Sequence, residues 1–162
     1  MQDNIKLINT LKRRPSAVCD IRGSMEYPDI RGKTLFYQTR HGVVVVTRVW
    51  GLPQGDDVCG NSVFGCHIHS GSACRGNESD PFAEAGTHFN PMGCLHPFHA
   101  GDMPPLFANG GFAFSAFLSH RFNVSQIVGR TVIVHSMPDD FTTQPAGNSG
   151  AKIACGQIKA SL

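Results

Sequence analysis

The pattern of apolar and polar positions along the chain predicts an all-β fold. After residue 15, short runs containing β-branched and aromatic residues alternate with stretches that contain Gly and Pro, as strands alternate with turns. The predicted strands are 16–23, 33–40, 43–50, 63–69, 111–118, 130–135 and 151–158, with a weaker run at 123–127. About eight short strands with almost no helix are typical of an antiparallel sandwich or barrel.

Two segments between the predicted strands have no periodicity. The longer one, residues 70–109, is rich in Gly, Pro, Ser, Asn, Asp and His, and the shorter one covers residues 136–150. A long loop without periodic structure is uncommon in a compact domain and usually either serves a function or is disordered. The many metal-binding residue types in 70–109 favour a function.

The first 15 residues differ from the rest of the chain. Ile5, Ile8 and Leu11 recur at three-residue steps, which fits a short amphipathic helix, and a disordered tail fits equally well. The 162 residues of the chain suit one domain of ordinary size. We therefore expect an N-terminal extension at residues 1–15 and one domain at residues 16–162.

Charge and hydropathy argue against two classes of partner. The formal net charge is only +2 and the longest basic run is the Lys-Arg-Arg at 12–14, so we expect no nucleic-acid partner. The four valines at 43–46 fall far below the roughly 18 apolar residues of a membrane span. Because the basic run follows the first apolar residues, the N-terminus does not resemble a signal peptide. We expect a cytoplasmic protein, or an exported one whose leader is missing from this chain. The sequence leaves the oligomeric state open.

A His-x-His pair in a predicted strand is the first candidate for metal binding. Side chains alternate along a strand, so His67 and His69 project from one face while Cys66 and Ile68 project from the other. Two imidazoles on one face can bind one metal ion, although His-x-His alone is a weak motif.

The long loop adds four more ligand-type residues. His88 is followed by His96, His99 and Asp102 at spacings of eight, three and three residues. Three imidazoles and one carboxylate form a reasonable tetrahedral zinc set. A single loop histidine is more often a solvated side chain, but four spaced ligand types in one loop favour a metal site.

His135 ends the predicted strand 130–135 and is the remaining candidate ligand. Its parity is opposite to that of Val132 and Val134, so it can face away from their side of the sheet. A histidine satisfied within the core is the alternative. The Asp139-Asp140 pair that follows favours a site, because metal-bound imidazoles usually donate their second N–H to a carboxylate, a backbone carbonyl or water.

Six cysteines are many for a cytosolic protein of this size. Their number is compatible with disulfides, a zinc site or reactive thiols, so their positions have to decide. The residues are Cys19, Cys59, Cys66, Cys74, Cys94 and Cys155.

Five segments, taken together and in order, resemble the copper–zinc superoxide dismutases of the bacterial branch. They are Gly-Cys-His-Ile-His at 65–69, Gly-Thr-His-Phe-Asn-Pro at 86–91, His-Pro-Phe-His-Ala-Gly-Asp at 96–102, Gly-Arg-Thr-Val-Ile-Val-His at 129–135 and Gly-Asn-Ser-Gly-Ala-Lys-Ile-Ala-Cys-Gly at 147–156. The resemblance covers residues 16–159. It implies an eight-stranded antiparallel Greek-key sandwich or barrel.

The resemblance implies two metal sites that share one ligand. The implied copper ligands are His67, His69, His88 and His135, and the implied zinc ligands are His88, His96, His99 and Asp102. The imidazole of His88 would then bridge the two ions.

Four further residues acquire roles from the same resemblance. Asp139 matches the carboxylate that links a copper ligand to a zinc ligand, and Cys74 and Cys155 match the family's intrasubunit disulfide. Lys152 stands where the family usually has an arginine beside the copper. Its positive charge would attract a small anion and raise its arrival rate.

The implied reaction is the dismutation of superoxide to dioxygen and hydrogen peroxide by a copper ion that cycles between two oxidation states. In the family picture His88 releases copper on reduction, takes up a proton and gives it to the product, while zinc keeps the imidazole in place. A non-catalytic protein that binds or stores copper and zinc is the alternative. A cupin-type site also uses His-x-His on a strand, but it needs a glutamate soon afterwards, and residues 70–75 contain no carboxylate.

The chain departs from the family at several positions. Only two residues separate His96 from His99, fewer than usual, and residue 152 is a lysine that keeps the charge of arginine without its planar fork. The second loop, 136–150, is shorter than in many relatives. Cys66 replaces a common aromatic residue, and its parity predicts an inert buried thiol. A second disulfide between Cys59 and Cys94 is an alternative to free or buried thiols there.

Overall fold

The computed structural model describes residues 9–55 and 62–161, and in these residues it contains nine strands in one antiparallel sheet. The strands are β1 (Ala17–Gly23), β2 (Arg31–Thr39), β3 (Gly42–Trp50), β4 (Val63–Phe64), β5 (Cys66–His69), β6 (Leu106–Asn109), β7 (Phe112–Ser119), β8 (Thr131–His135) and β9 (Lys152–Ala160). Their order across the sheet is β4-β6-β7-β3-β2-β1-β9-β8-β5. The all-β prediction is confirmed.

One glycine brings the two edges of this sheet together as a nearly closed barrel. The edge strands β4 and β5 are consecutive in the chain and are separated only by Gly65. The Gly65 carbonyl accepts a hydrogen bond from the His135 amide at 2.8 Å, and the Gly65 amide donates to the Met137 carbonyl at 2.8 Å. The connections from β3 to β4 and from β7 to β8 cross between distant strands, as in a Greek key.

Strand alternation fills the interior of the barrel. In the β1–β2 pair, Cys19 faces Thr34 and Ala17 faces Phe36, and all four side chains are fully buried. The Thr34 hydroxyl shares a 3.0 Å hydrogen bond with the hydroxyl of Thr47, so this polar pair is satisfied inside the core. Burial of a large aliphatic or aromatic side chain stabilises the fold by about 1.5–3 kcal/mol.

Three local details differ from the sequence-based expectations. The weak strand 123–127 is a short helix, α1 (Val124–Ile127), because the Gln126 side chain accepts a 2.8 Å hydrogen bond from the Asn123 amide and caps the first turn. The expected strand 63–69 is divided by Gly65 into β4 and β5. The strand count is nine instead of eight because the division at Gly65 and the additional strand β6, which lies in the segment 70–109, add two strands, while the run 123–127 is lost as a strand.

The sequence pattern does not predict β6, because this strand follows Pro104 and Pro105 and is only four residues long. It pairs with β7 through a tight turn at Gly110 and Gly111, whose positive φ angles of 56° and 74° favour glycine.

The N-terminal prediction is only partly covered by the structure. Residues 9–11 are helical, and residues 1–8, on which the amphipathic helix also depends, lie outside the described residues. Across 9–55 and 62–161, no helix is long and apolar enough to span a membrane.

The disulfide between Cys74 and Cys155 is present, as the resemblance implied. It joins the long loop to β9 across 81 residues of sequence. Phe82 and Ala85 from the loop pack with Ile133 of β8 and with this disulfide in a small apolar cluster. The loop is therefore held against β8 and β9 by both a covalent bond and apolar packing.

Among the described cysteines outside this bridge, all are free thiols. Cys19 and Cys66 are buried, so the predicted burial of the Cys66 thiol is confirmed, and this burial raises the pKa of Cys66 to about 12. Cys94 is exposed and is a free thiol, and the alternative of a bridge to Cys59 stays a prediction. Cys59 itself lies outside the described residues.

We expect the Cys74→Ser, Cys155→Ser double variant to lose about 2–5 kcal/mol of unfolding free energy, because the disulfide restricts a long loop in the unfolded chain. Urea unfolding of the metal-free proteins without reductant measures this loss. Cys94→Ser removes an exposed free thiol and should unfold like the wild type. Equal midpoints and slopes for the double variant and the wild type would contradict the expectation.

Candidate metal centre

β5 carries two buried histidines on the outer face of the barrel. His67 and His69 are 0% and 2% exposed, and they alternate with Cys66 and Ile68, which belong to the interior core. This is the arrangement that strand alternation predicts. Their position outside the barrel requires another layer to cover them.

The long loop provides this layer by pairing its backbone with the free edge of β5. The Phe89 amide donates to the Ile68 carbonyl at 2.8 Å, and the Ile68 amide donates to the Gly101 carbonyl at 2.9 Å. A Cβ atom on Gly101 would collide with the Ile68 carbonyl, so glycine is required for this approach. The two loop segments 87–89 and 100–102 are thus fixed on either side of one β5 residue.

This pairing and the neighbouring strand assemble a first cluster of ligands. His88 of the loop lies opposite His69, and His135 at the end of β8 has its Nε2 atom 3.3 Å from His69 Nε2. The ring centroids of His67 and His88 are 4.0 Å apart. The ligand atoms of the first cluster lie within 4.8 Å of one another, and its members are His67, His69, His88 and His135.

In each ring of the first cluster, one nitrogen is engaged outside the cluster and the other remains for coordination. Nδ1 of His69 and Nδ1 of His135 face backbone carbonyls at 2.8 and 3.3 Å. His67 Nδ1 and His88 Nε2 are buried and have no hydrogen-bond partner among the described residues. The atoms that remain are His67 Nδ1, His69 Nε2, His88 Nε2 and His135 Nε2.

A second cluster surrounds the carboxylate of Asp102. Its Oδ1 atom is 2.8 Å from His88 Nδ1 and 3.4 Å from His99 Nδ1, and its Oδ2 atom is 3.1 Å from His96 Nδ1. The Nδ1 atoms of His96 and His99 are buried and lack an aligned hydrogen bond within the described chain. Three imidazole nitrogens and one carboxylate oxygen suit zinc, so the short spacing between His96 and His99 still allows a complete ligand set.

Two residues connect the clusters. His88 contributes Nε2 to the first and Nδ1 to the second. Asp139 connects them from outside, because its Oδ2 atom is 2.7 Å from His67 Nε2 and its Oδ1 atom is 2.9 Å from His96 Nε2. This carboxylate is 5% exposed and therefore fixes the orientation of one ring in each cluster.

Burial lowers the pKa of three of the four imidazoles of the first cluster. It lowers the pKa of His67 despite the hydrogen bond to Asp139, and it lowers the pKa of His69 well below its usual range, with nearby His135 adding to the effect. Burial also lowers the pKa of His135, to about 3. Neutral imidazole is the form that binds a metal ion, so these rings are available as ligands at neutral pH.

The two carboxylates remain ionised despite their burial. Burial alone would raise the pKa of Asp102, but the hydrogen bond to His88 and the neighbouring histidines lower it overall. Burial would likewise raise the pKa of Asp139, but hydrogen bonds from His67, the Phe141 amide and His96 hold it far below its usual range. Two ionised, buried carboxylates form an electrostatic environment that favours cations.

Lys152 lies beside the first cluster, but its charge is compensated. It is the cross-strand neighbour of His135 in the β8–β9 pair. Its Nζ atom donates to Asp80 Oδ2 at 2.6 Å and to the Phe82 carbonyl at 3.3 Å, and the side chain is only 16% exposed. Lys152 is therefore neither a freely solvated lysine nor an unpaired cation.

Two side chains that hold the second cluster were not predicted from the sequence. Arg121 donates from Nη1 to the carbonyls of Pro97 and His99 at 2.7 and 3.2 Å. Gln144 binds both backbone groups of His96, at 2.9 and 2.7 Å. Each contact joins residues that are more than 20 positions apart, so no local pattern indicates it.

The nearly closed barrel and the two adjacent ligand clusters define an all-β metalloprotein with a paired metal site. A family model described as copper/zinc superoxide dismutase (SODC) matches residues 30–158. A protein named Cu-Zn superoxide dismutase 2 from Aquifex aeolicus is 30% identical over 146 residues, which cover 81% of this chain and 80% of that protein.

Two further relatives give the same result. Cu-Zn superoxide dismutase A of Xenopus laevis is 32% identical over 158 residues, or 88% of this chain and 95% of that protein. The Cu-Zn superoxide dismutase of Deinococcus radiodurans is 29% identical over 150 residues, or 81% of this chain and 78% of that protein. The chain belongs to the copper/zinc superoxide dismutase family.

We expect Asp139→Asn to weaken zinc binding by about 10–100-fold, because an amide cannot accept both imidazole N–H groups that the carboxylate orients. Competition with a zinc chelator measures the affinity. Asp140→Asn is the matched control, since Asp140 is exposed and its hydrogen bonds go to Thr142 and Thr143 instead of to the clusters. Equal zinc affinity in Asp139→Asn and Asp140→Asn would contradict the linking role.

Proposed function

We propose that the protein dismutates superoxide at a copper ion held by the first cluster, with zinc held by the second. The observation that carries this assignment is the shared ring of His88, whose Nε2 atom is unpartnered in the described chain while Nδ1 lies 2.8 Å from Asp102. Copper would be held by His67 Nδ1, His69 Nε2, His88 Nε2 and His135 Nε2, and zinc by His88 Nδ1, His96 Nδ1, His99 Nδ1 and Asp102. Family membership supports the same metals and reaction.

Dismutation converts two superoxide anions and two protons into dioxygen and hydrogen peroxide. Bound copper supplies the one-electron redox chemistry, and the protein residues have to supply geometry, a proton and attraction for the anion. His88 Nε2 has a single lone pair, so it would hold a proton only while it does not bind copper, and it could then give that proton to the product. Asp139 restrains the rings of His67 and His96, so that a proton can move on His88 without rearrangement of the other ligands.

Lys152 is the residue we assign to attraction of superoxide. It is the cross-strand neighbour of His135, and its charge contributes to the lowered pKa of that ring, so the ammonium group lies within electrostatic range of the first cluster. A non-catalytic binding or storage protein, the alternative function, needs neither a shared imidazole nor a cation beside it. The presence of both therefore favours catalysis.

We expect protein loaded with copper and zinc to consume superoxide and to lose this activity completely with a copper chelator. The redox step requires copper, whereas zinc alone does not change oxidation state. Protein loaded with zinc only should be inactive, and His120→Ala, whose histidine lies outside both clusters, should keep full activity. Fully metallated protein with no activity above free copper would favour the storage alternative.

We expect Lys152→Ala to lower kcat/KM for superoxide by about tenfold without loss of copper, because attraction of the anion decreases and Lys152 is not a ligand. Lys152→Glu should lower the rate further, and Lys152→Arg should retain or exceed the wild-type rate, since it keeps the charge and adds donors.

Pulse radiolysis across a range of ionic strengths measures these rates, and the visible spectrum reports the copper site. Lys159→Ala, which removes an exposed lysine from the same strand, is the matched control. Equal rates and equal salt dependence in the wild type and Lys152→Glu would leave the attraction without support.

A further inference from the structure

The contact between Lys152 and Asp80 is a short, oriented ion pair at the edge of the first cluster. Nζ and Oδ2 are 2.6 Å apart, and the two side chains are 16% and 36% exposed. A charge-assisted hydrogen bond of this length in a partly buried position persists in a way that exposed lysine pairs do not. Asp80 therefore stays with Lys152 while the substrate approaches.

Hydrogen bonds within the loop around Asp80 orient its carboxylate group. The Asn77 side-chain oxygen accepts hydrogen bonds from the amides of Ser79 and Asp80, both at 3.0 Å, and closes a tight turn. The Phe82 amide donates to Asp80 Oδ1 at 3.0 Å, which leaves Oδ2 for Lys152. Both carboxylate oxygens are thus oriented before any substrate arrives.

Two further contacts hold this loop in register with Lys152. Cys74, six residues before Asp80, is covalently joined to Cys155, three residues after Lys152. Phe82, two residues after Asp80, is 6% exposed and packs in the cluster with Ile133. The loop is anchored on both sides of Asp80. The fold therefore holds the carboxylate next to Lys152, even though a lysine side chain is itself flexible.

We infer that Asp80 is a permanent counterion that reduces the attraction of Lys152 for anions and so sets the anion affinity of the copper site. This inference rests on the proposed role of Lys152. An approaching anion meets a positive charge paired with a negative one, and the attraction of such a pair falls off faster with distance than that of a single charge. Asp80 thereby disfavours competing anions together with superoxide.

Asp80→Asn tests the inference, because it removes the charge and retains a side chain of the same size. We expect kcat/KM for superoxide to rise about two- to fivefold and its decline with ionic strength to become steeper. We also expect azide, titrated into the copper(II) and zinc protein and followed by its absorption band, to bind about two- to fivefold more tightly. The azide titration reads the local potential without relying on turnover.

Two controls separate charge from structure. Glu78→Gln removes one negative charge two residues away, from an exposed side chain with no hydrogen bond or ion pair to the described residues, and should change neither rate nor azide affinity. Asp80→Glu retains the charge and should stay close to the wild type.

The outcomes distinguish this inference from the proposed function. An inactive but fully metallated wild type would overturn the proposed function, and the azide titration would still test Asp80. An active wild type whose Asp80→Asn variant shows unchanged or weaker azide binding and an unchanged or lower rate, with intact copper content, would overturn the role of Asp80. An equal rise in rate and azide affinity in Glu78→Gln would overturn it as well, because the effect would then come from the net charge of the protein and not from the pair of Asp80 and Lys152.

Discussion

The metal centre depends on the backbone hydrogen bonds between the long loop and the free edge of β5. β5 is the last strand in the sheet order, so its outer amides and carbonyls need partners from outside the sheet. Ile68 receives them from Phe89 and Gly101, and these bonds determine where His88 and Asp102 lie. The positions of the loop ligands therefore follow from main-chain pairing. The same hydrogen bonds therefore pair the backbone of the edge strand and position the loop residues of the metal site.

The same arrangement buries negative charges and polar nitrogen atoms that need partners. Six imidazoles are buried together, and burial lowers the pKa of His67, His69, His99 and His135. The carboxylates of Asp102 and Asp139 stay ionised in the same site. Buried anions without cations are unfavourable, and so are buried nitrogens without a partner, such as His67 Nδ1 and His96 Nδ1. Two metal cations would both balance the charge of the carboxylates and bind the nitrogens that lack a partner. Metal binding and stability of the loop are therefore expected to be coupled in this protein.

Much of this centre could be predicted from the sequence, because local rules determine it. Alternation along a strand is enough to put His67 and His69 on one face. The pairing of Cys74 with Cys155 was implied only by the resemblance to the family, and the structure contains it. The parts that could not be predicted depend on contacts between distant segments. In the sequence, Gly65 is predicted as part of one continuous strand, because nothing local shows that the two edges of the barrel meet there. β6 is too short and too close to prolines to show periodicity. Arg121 and Gln144 act only through carbonyls and amides of a loop whose path no local pattern specifies.

Lys152 shows why residue type and position are insufficient to assign an electrostatic role. Its place before Cys155 predicts a cation beside the first cluster, yet its ammonium group is paired with Asp80, which is 72 residues away in sequence. Asp80 and the Phe82 carbonyl take two of the three N–H donors of Lys152 and leave one for an anion, whereas an arginine would offer a planar fork of five donors. If Asp80 acts as the inferred counterion, the electrostatic character of the site depends on both members of this pair, and a change in either residue alters what the other contributes.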